Sequence, residues 1–225
     1  MLQLPKTGFI YLLKAYCFSV KILKKSKAQR VKNMKHNNIT NATDLIKSTI
    51  KDIPENNNLI IAIDGPCASG KTTLTNALKE AFNCNVIPVD DFFLRPHQRT
   101  RERLDAAGGN FDKERFIEEV LTPLKRGEDF SYRPFDCKKG ELSSPTEIQH
   151  KSITIIEGVY SCHPDLYDFY DYRIFIKTDT DTQLKRLEER NPQLLNRFIT
   201  EWIPMEEKYF TAFNIENNCD MVIEL

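Results

Sequence analysis

Residues Gly65-Pro66-Cys67-Ala68-Ser69-Gly70-Lys71-Thr72 are the densest concentration of chemistry in this 225-residue chain. Their spacing is G-x-x-x-x-G-K-[ST]. The glycines let the backbone turn tightly, so that consecutive N–H groups point at phosphate oxygens. The ammonium of Lys71 reaches the outer phosphates, and the hydroxyl of Thr72 suits Mg²⁺. Gly65, Ala68, Ser69, Gly70, Lys71, Thr72 and Thr73 are therefore candidates for holding a nucleoside triphosphate. Cys67 lies inside the loop and reads as a small tolerated residue, with a reactive thiol as the alternative.

Carboxylates would turn binding into transfer. Phosphoryl transfer needs the phosphates held, the metal placed, and a group to take the proton of the incoming hydroxyl. Asp90 is the candidate base and Glu157 the candidate metal ligand, directly or through water. A turn-forming or capping role is the alternative for Asp90. The neighbouring Asp91 reads as structural.

These residues need a scaffold. Leu59–Ile63 is a short apolar run of the kind a buried parallel strand shows, and it runs into the loop. Leu74, Ala77, Leu78, Ala81 and Phe82 recur at helical spacing just after it, which puts a helix N-terminus at the phosphates. Val86–Asp90, Ile153–Glu157, Arg173–Lys177 and Met221–Ile223 complete five predicted strands. Helices are predicted over Asp44–Ile53, around Phe116–Leu124, over Thr182–Arg190 and over Glu201–Phe213, the last with Trp202, Met205, Tyr209 and Phe213 as its apolar stripe. Arg95–Asn110 reads as a loop or lid, and Lys125–His150 as a turn-rich excursion over the substrate. Alternation of strand and helix means a parallel sheet covered on both faces. Ligands of such sheets bind beyond the carboxyl ends of the strands, where the loop, Asp90 and Glu157 all fall.

Composition narrows the class. Lys and Arg total 32 and Asp and Glu total 32, but residues 1–43 hold nine of the basic residues and no acid. The remainder, with 23 basic and 32 acidic residues, is too acidic for general nucleic-acid binding. Six cysteines are scattered without a C-x-x-C pair, which indicates neither a zinc site nor a disulfide framework and suits a reducing cytoplasm. Residues 1–43 read as a basic tail, disordered or not native, with Met34 as an alternative start. The apolar stretch from Gly8 to Ile22 is interrupted by Lys14 and Lys21, too short and too charged to span a bilayer. A basic amphipathic membrane anchor is the alternative for this stretch.

On these residues the chain resembles the uridine kinase and phosphoribulokinase branch of P-loop kinases. The motifs occur in the family's order: the loop, Asp90-Asp91-Phe92-Phe93, Asn110-Phe111-Asp112, Tyr132 to Asp136, and Glu157-Gly158. The resemblance covers about residues 58–225. It implies a P-loop NTPase three-layer αβα sandwich with a five-stranded parallel sheet and a lid, occupying residues 44–225. It also implies Mg²⁺-assisted, ATP-dependent phosphorylation of a nucleoside 5′-hydroxyl, with Asp90 as base and Lys71, Arg186 and Arg190 in the catalytic set. Asp112 would hold the ribose hydroxyls, or cap the following helix. Tyr132 and Phe135 would wall the base, or plug the core. Arg186 and Arg190, one turn apart, would clamp phosphates from the lid helix, or form helix-surface pairs with Glu189 or Asp181.

Two departures bear on the acceptor. The uridine kinase pattern carries Tyr-Asp and then a His that reads the pyrimidine, where this chain has Phe135-Asp136 and then Cys137-Lys138-Lys139-Gly140. Asp90-Asp91-Phe92-Phe93 is also the form found in nicotinamide riboside kinases. The alternative acceptors are nicotinamide riboside, pantothenate or a sugar phosphate. A slow nucleotide-dependent switch is the alternative outside catalysis. The partner implied is a small molecule.

Overall fold

The computed structural model describes residues 31–35, 39–51 and 58–225. Its strands are β1 (Val31–Lys35), β2 (Leu59–Asp64), β3 (Asn85–Pro88), β4 (Ile153–Glu157), β5 (Tyr172–Lys177) and β6 (Met221–Glu224), and they form one sheet in the order β1-β6-β5-β2-β4-β3. The five strands from β6 to β3 are mutually parallel. This is the expected α/β three-layer sandwich. Central strand β2 is buried along its whole length, as a strand covered on both faces must be.

Helices α1 (Ile39–Lys51) and α2 (Lys71–Phe82) cover one face, burying Ile46, Ile50, Leu74 and Leu78 against Ile61, Ile63, Ile155 and Ile174. The other face packs under α3 (residues 113–126) and under the C-terminal part of the chain, through Phe116, Val120, Leu124 and Tyr209. Each fully buried large apolar side chain contributes about 1.5–3 kcal/mol to this core. The remaining main helices are α4 (Thr180–Arg190) and α5 (residues 195–213).

Both α3 and α5 contain a π turn, at Ile117–Leu121 and Phe198–Trp202, and each is followed within two residues by a proline, Pro123 and Pro204. Proline has no N–H to give to a helical carbonyl. The wider turn supplies the local register change, with Thr122 N–H bonding Ile117 O and Ile203 N–H bonding Phe198 O.

Some boundaries differ from sequence expectation. The second strand stops at Pro88, and Asp90 sits on a 3₁₀ turn over Val89–Phe92. The helix expected at Asp44–Ile53 runs Ile39–Lys51, and Val31–Lys35 is a strand at the sheet edge. Both of these lie partly or wholly in the stretch read as a tail; residues 1–30 and 36–38 of that stretch are outside the described residues. The excursion at 130–148 is two small antiparallel ribbons, Phe130–Tyr132 with Thr146–Ile148 and Phe135–Asp136 with Glu141–Leu142. No described helix is long and apolar enough to cross a membrane.

Candidate active site

The 65–72 loop connects the carboxyl end of β2 to the first turn of α2, the strand–loop–helix context that the motif requires. Gly65 has φ 142°, and a Cβ there would stand 2.2 Å from Ile176 O on β5. No side chain fits without moving the neighbouring strand. Ala68 takes the left-handed conformation at φ 58° without being glycine, so the arch is held by contacts rather than by backbone preference.

Those contacts come from three directions. From below, Asp64 is fully buried and accepts hydrogen bonds from Gly65 N (2.7 Å), Cys162 N (2.8 Å) and Tyr209 Oη (2.8 Å). Burial raises its pKa to about 6 against the opposing pull of these bonds and of Lys71. From α4, Gln183 Nε2 donates to Cys67 O at 2.9 Å, and Arg186 Nη1 donates to Ala68 O at 3.1 Å. From α5, the buried carboxylate of Glu206 accepts the N–H of Cys67 at 2.9 Å. The Cys67 thiol is pushed up to about 12 by burial and then by Glu206, a direction that disfavours the reactive thiolate.

Lys71 is folded into the loop, its ammonium donating to Gly65 O (2.8 Å) and Pro66 O (2.9 Å). Thr72 Oγ1 lies 3.3 Å from Glu157 Oε1, joining the start of α2 to the end of β4. Burial is the main cause raising the Glu157 pKa; Lys71 opposes it and the nearby charge of Asp90 adds to it. Gly158 lets the end of β4 pack closely on the turn that carries Asp90, since a Cβ there would stand 3.1 Å from Val89 Cβ. The Asp90 side chain is reached by solvent through the cavity yet surrounded by protein. That enclosure raises its pKa, while Lys71 and Arg190 pull it down. A carboxylate raised above its usual range is a stronger base when ionised.

The loop, Asp90 and Glu157 open onto one cavity of about 960 Å³. Arg186 and Arg190 on α4 border it, as do Phe93, Arg99, Asn110 and Cys137. The other predicted residues lie back from this wall. Asp112 is buried and caps α3, its Oδ1 accepting from Arg115 N at 3.4 Å. Its Oδ2 has no hydrogen-bond partner and faces Arg95 Nη2 at 3.8 Å. Tyr132 is packed on Phe92 and donates to Asp91 Oδ2 at 2.9 Å, which gives Asp91 the structural part expected of it. Phe135 is buried beneath the Arg99 guanidinium, 5.7 Å from its ring centre.

Several site residues were not singled out in the sequence. Glu206 lies on the apolar stripe of α5, one turn after Trp202 and three residues before Tyr209. An acid on a buried stripe is a signal that could have been read. Gln183 and Arg99 carry no comparable mark, since only the tertiary fold brings them to the loop or the cavity, whereas Cys137 falls in the segment that departs from the family pattern.

Comparison with known proteins follows the same lines. Residues 60–192 match the model of the phosphoribulokinase / uridine kinase family. A uridine kinase of Chlamydia pneumoniae is 31% identical over 169 residues, covering 67% of this chain and 75% of the relative. A uridine-cytidine kinase B of Dictyostelium discoideum is 31% identical over 149 residues, 59% of this chain and 60% of the relative. Among solved structures, a possible uridine kinase from Bacillus stearothermophilus superposes with a TM-score of 0.65 at 20% identity, over 82% of this chain and 98% of the other. At that identity the superposition speaks for the fold.

Proposed function

The chain belongs to the phosphoribulokinase / uridine kinase family and is a phosphotransferase acting on an alcohol, and from that premise we propose that it moves the terminal phosphoryl group of ATP to the 5′-hydroxyl of a nucleoside. The observation that carries this reading is the opening of the phosphate loop, Asp90 and Glu157 onto a single cavity. In the proposed reaction Asp90 accepts the proton of the acceptor hydroxyl as its oxygen attacks phosphorus. Lys71 exchanges its loop carbonyls for phosphoryl oxygens. Arg186 and Arg190 bring positive charge to the transferring group, where charge spreads in the transition state.

Thr72 Oγ1 and Glu157 Oε1, 3.3 Å apart, are hard oxygen donors of the kind Mg²⁺ takes, with phosphate oxygens and water completing the set. The bound ion would neutralise charge on the outer phosphates. Asp112, set back from the cavity wall, is the proposed ribose ligand through its Oδ2, which accepts no hydrogen bond and is held only by the 3.8 Å ion pair with Arg95 Nη2. Tyr132 and Phe135 are proposed to serve the acceptor from behind, one by holding Asp91 and the other by backing Arg99. The scattered cysteines, without a C-x-x-C pair, support a reducing, cytoplasmic setting.

A second reading, a kinase for another small alcohol, is favoured by Arg99 and Cys137 on the cavity wall. A panel of uridine, cytidine, nicotinamide riboside, pantothenate and a sugar phosphate with ATP and Mg²⁺, read by ADP release, tests both. Turnover on uridine or cytidine well above the acceptor-free rate supports the first reading. Release on nicotinamide riboside, pantothenate or the sugar phosphate alone supports the second. Release equal with and without acceptors points to a slow hydrolytic switch.

A further inference from the structure

Glu206 stands at the phosphate loop with a negative charge where the ligand is also negative. Its carboxylate accepts the Cys67 N–H at 2.9 Å and borders the same cavity as Lys71, Thr72 and Arg186. This backbone donor lies in the arch whose N–H groups the motif turns toward phosphate oxygens. We infer that Glu206 is a positioning residue of the phosphate loop whose charge opposes the donor triphosphate, so that the loop takes the donor in full strength only when this carboxylate is neutral. The inference rests on the donor assignment above.

Several observations support it. Glu206 is buried, and no Lys or Arg forms an ion pair with it among the described residues. The titratable groups facing it are Lys71 and Cys67 on the loop, Asp64 at the end of β2 and Tyr160 after β4; α4 presents only the Gln183 amide to Cys67. Burial dominates these influences and raises the Glu206 pKa to about 7. The arch does not depend on this one bond. Gln183 and Arg186 hold the carbonyls of Cys67 and Ala68.

The size of the effect follows from the competent fraction. With a pKa of about 7 and only the neutral form compatible with the donor, apparent affinity falls about tenfold at pH 8 and hardly at all at pH 6. The test is calorimetric titration of the full chain with a non-hydrolysable ATP analogue at both pH values, comparing wild type with Glu206→Gln. The amide can still accept the Cys67 N–H. Taking the ratio of the two proteins at each pH removes titration of the nucleotide itself, and adenosine serves as a ligand without phosphates.

The expected result is an affinity gain in Glu206→Gln approaching tenfold at pH 8, none at pH 6, and none for adenosine at either pH. Equal or weaker binding by Glu206→Gln at pH 8 overturns the inference and leaves a purely structural brace. If the Gln variant does not fold by thermal melting, Glu206→Met, similar in size and uncharged, is read in the same way. Absence of binding to the wild-type protein would sink the donor assignment and the inference together, whereas wild-type binding without a gain sinks the inference alone.

Discussion

Thr72 Oγ1 and Glu157 Oε1 meet at 3.3 Å across 85 residues of chain. The contact joins the first turn of α2 to the last residue of β4, because β2 and β4 are adjacent parallel strands whose register pairs Ile63 with Glu157. It joins a hydroxyl and a carboxylate at the phosphate loop, with Asp90 on the 3₁₀ turn just past the neighbouring strand β3.

If these two oxygens share a metal, Glu157→Gln should raise the Mg²⁺ concentration needed for half-maximal rate by about tenfold or more, in the range that loss of a ligand or its support gives. Binding of ATP without Mg²⁺ should change little. A Mg²⁺ titration of the rate at fixed ATP checks this, and an unchanged half-saturation point would remove Glu157 from the metal site.

Asp90→Asn should keep donor binding near wild type and lower kcat by about 10²–10⁴-fold, the usual worth of a general base. The carboxylate is raised by its enclosure, so the wild-type rate should climb with pH through a point above the ordinary aspartate range and then level. The variant should lose that limb. A rate within a few-fold of wild type excludes Asp90 as the base.

Gly65→Ala tests the backbone of the loop. Its Cβ would stand 2.2 Å from Ile176 O, and φ 142° is poorly open to any L side chain. Strand β5 must move or the loop must change path, at a cost of roughly 1–3 kcal/mol. Thermal melting should show a clear loss of Tm together with weaker donor binding. A variant with wild-type Tm and affinity would show that the loop is not packed this tightly.

His163 predicts the acid side of the stability profile. It is buried beside Tyr209 and Phe213, and burial lowers its pKa from 6.5 to about 4. A base depressed in the folded state stabilises the fold above its unfolded pKa, and that contribution is lost as pH falls toward the folded value. Between about pH 6.5 and 4 this one group should add a slope of up to about 1.4 kcal/mol per pH unit. Denaturant melts of wild type and His163→Phe across that window should differ in slope by this proton. Parallel profiles would show that His163 does not titrate between the two states.

Much of the molecule was legible because its signals are local. The loop motif fixes its own backbone path, an apolar run before it and a helical periodicity after it identify β2 and α2, and strand ends that carry Asp or Glu point to one edge of the sheet. Asp91 read as structural and is bonded by Tyr132. Boundaries were less legible. Asp90 looked like a strand end but rides a 3₁₀ turn, because Pro88 donates no hydrogen bond with which to continue the ladder. Tyr132 and Phe135 carry aromatic character that suits either a base wall or a core, and only packing distinguishes the two; both are buried.

By itself, then, the order of residues determined a triphosphate loop on a parallel sheet and the carboxylates that accompany it, since each depends on neighbours a few positions away. Tertiary structure alone decided which distant groups grip that loop. Gln183, Arg186 and Glu206 reach Cys67 and Ala68 from more than a hundred residues downstream. No local pattern encodes such a meeting, because it follows from how α4 and α5 pack over the end of the sheet.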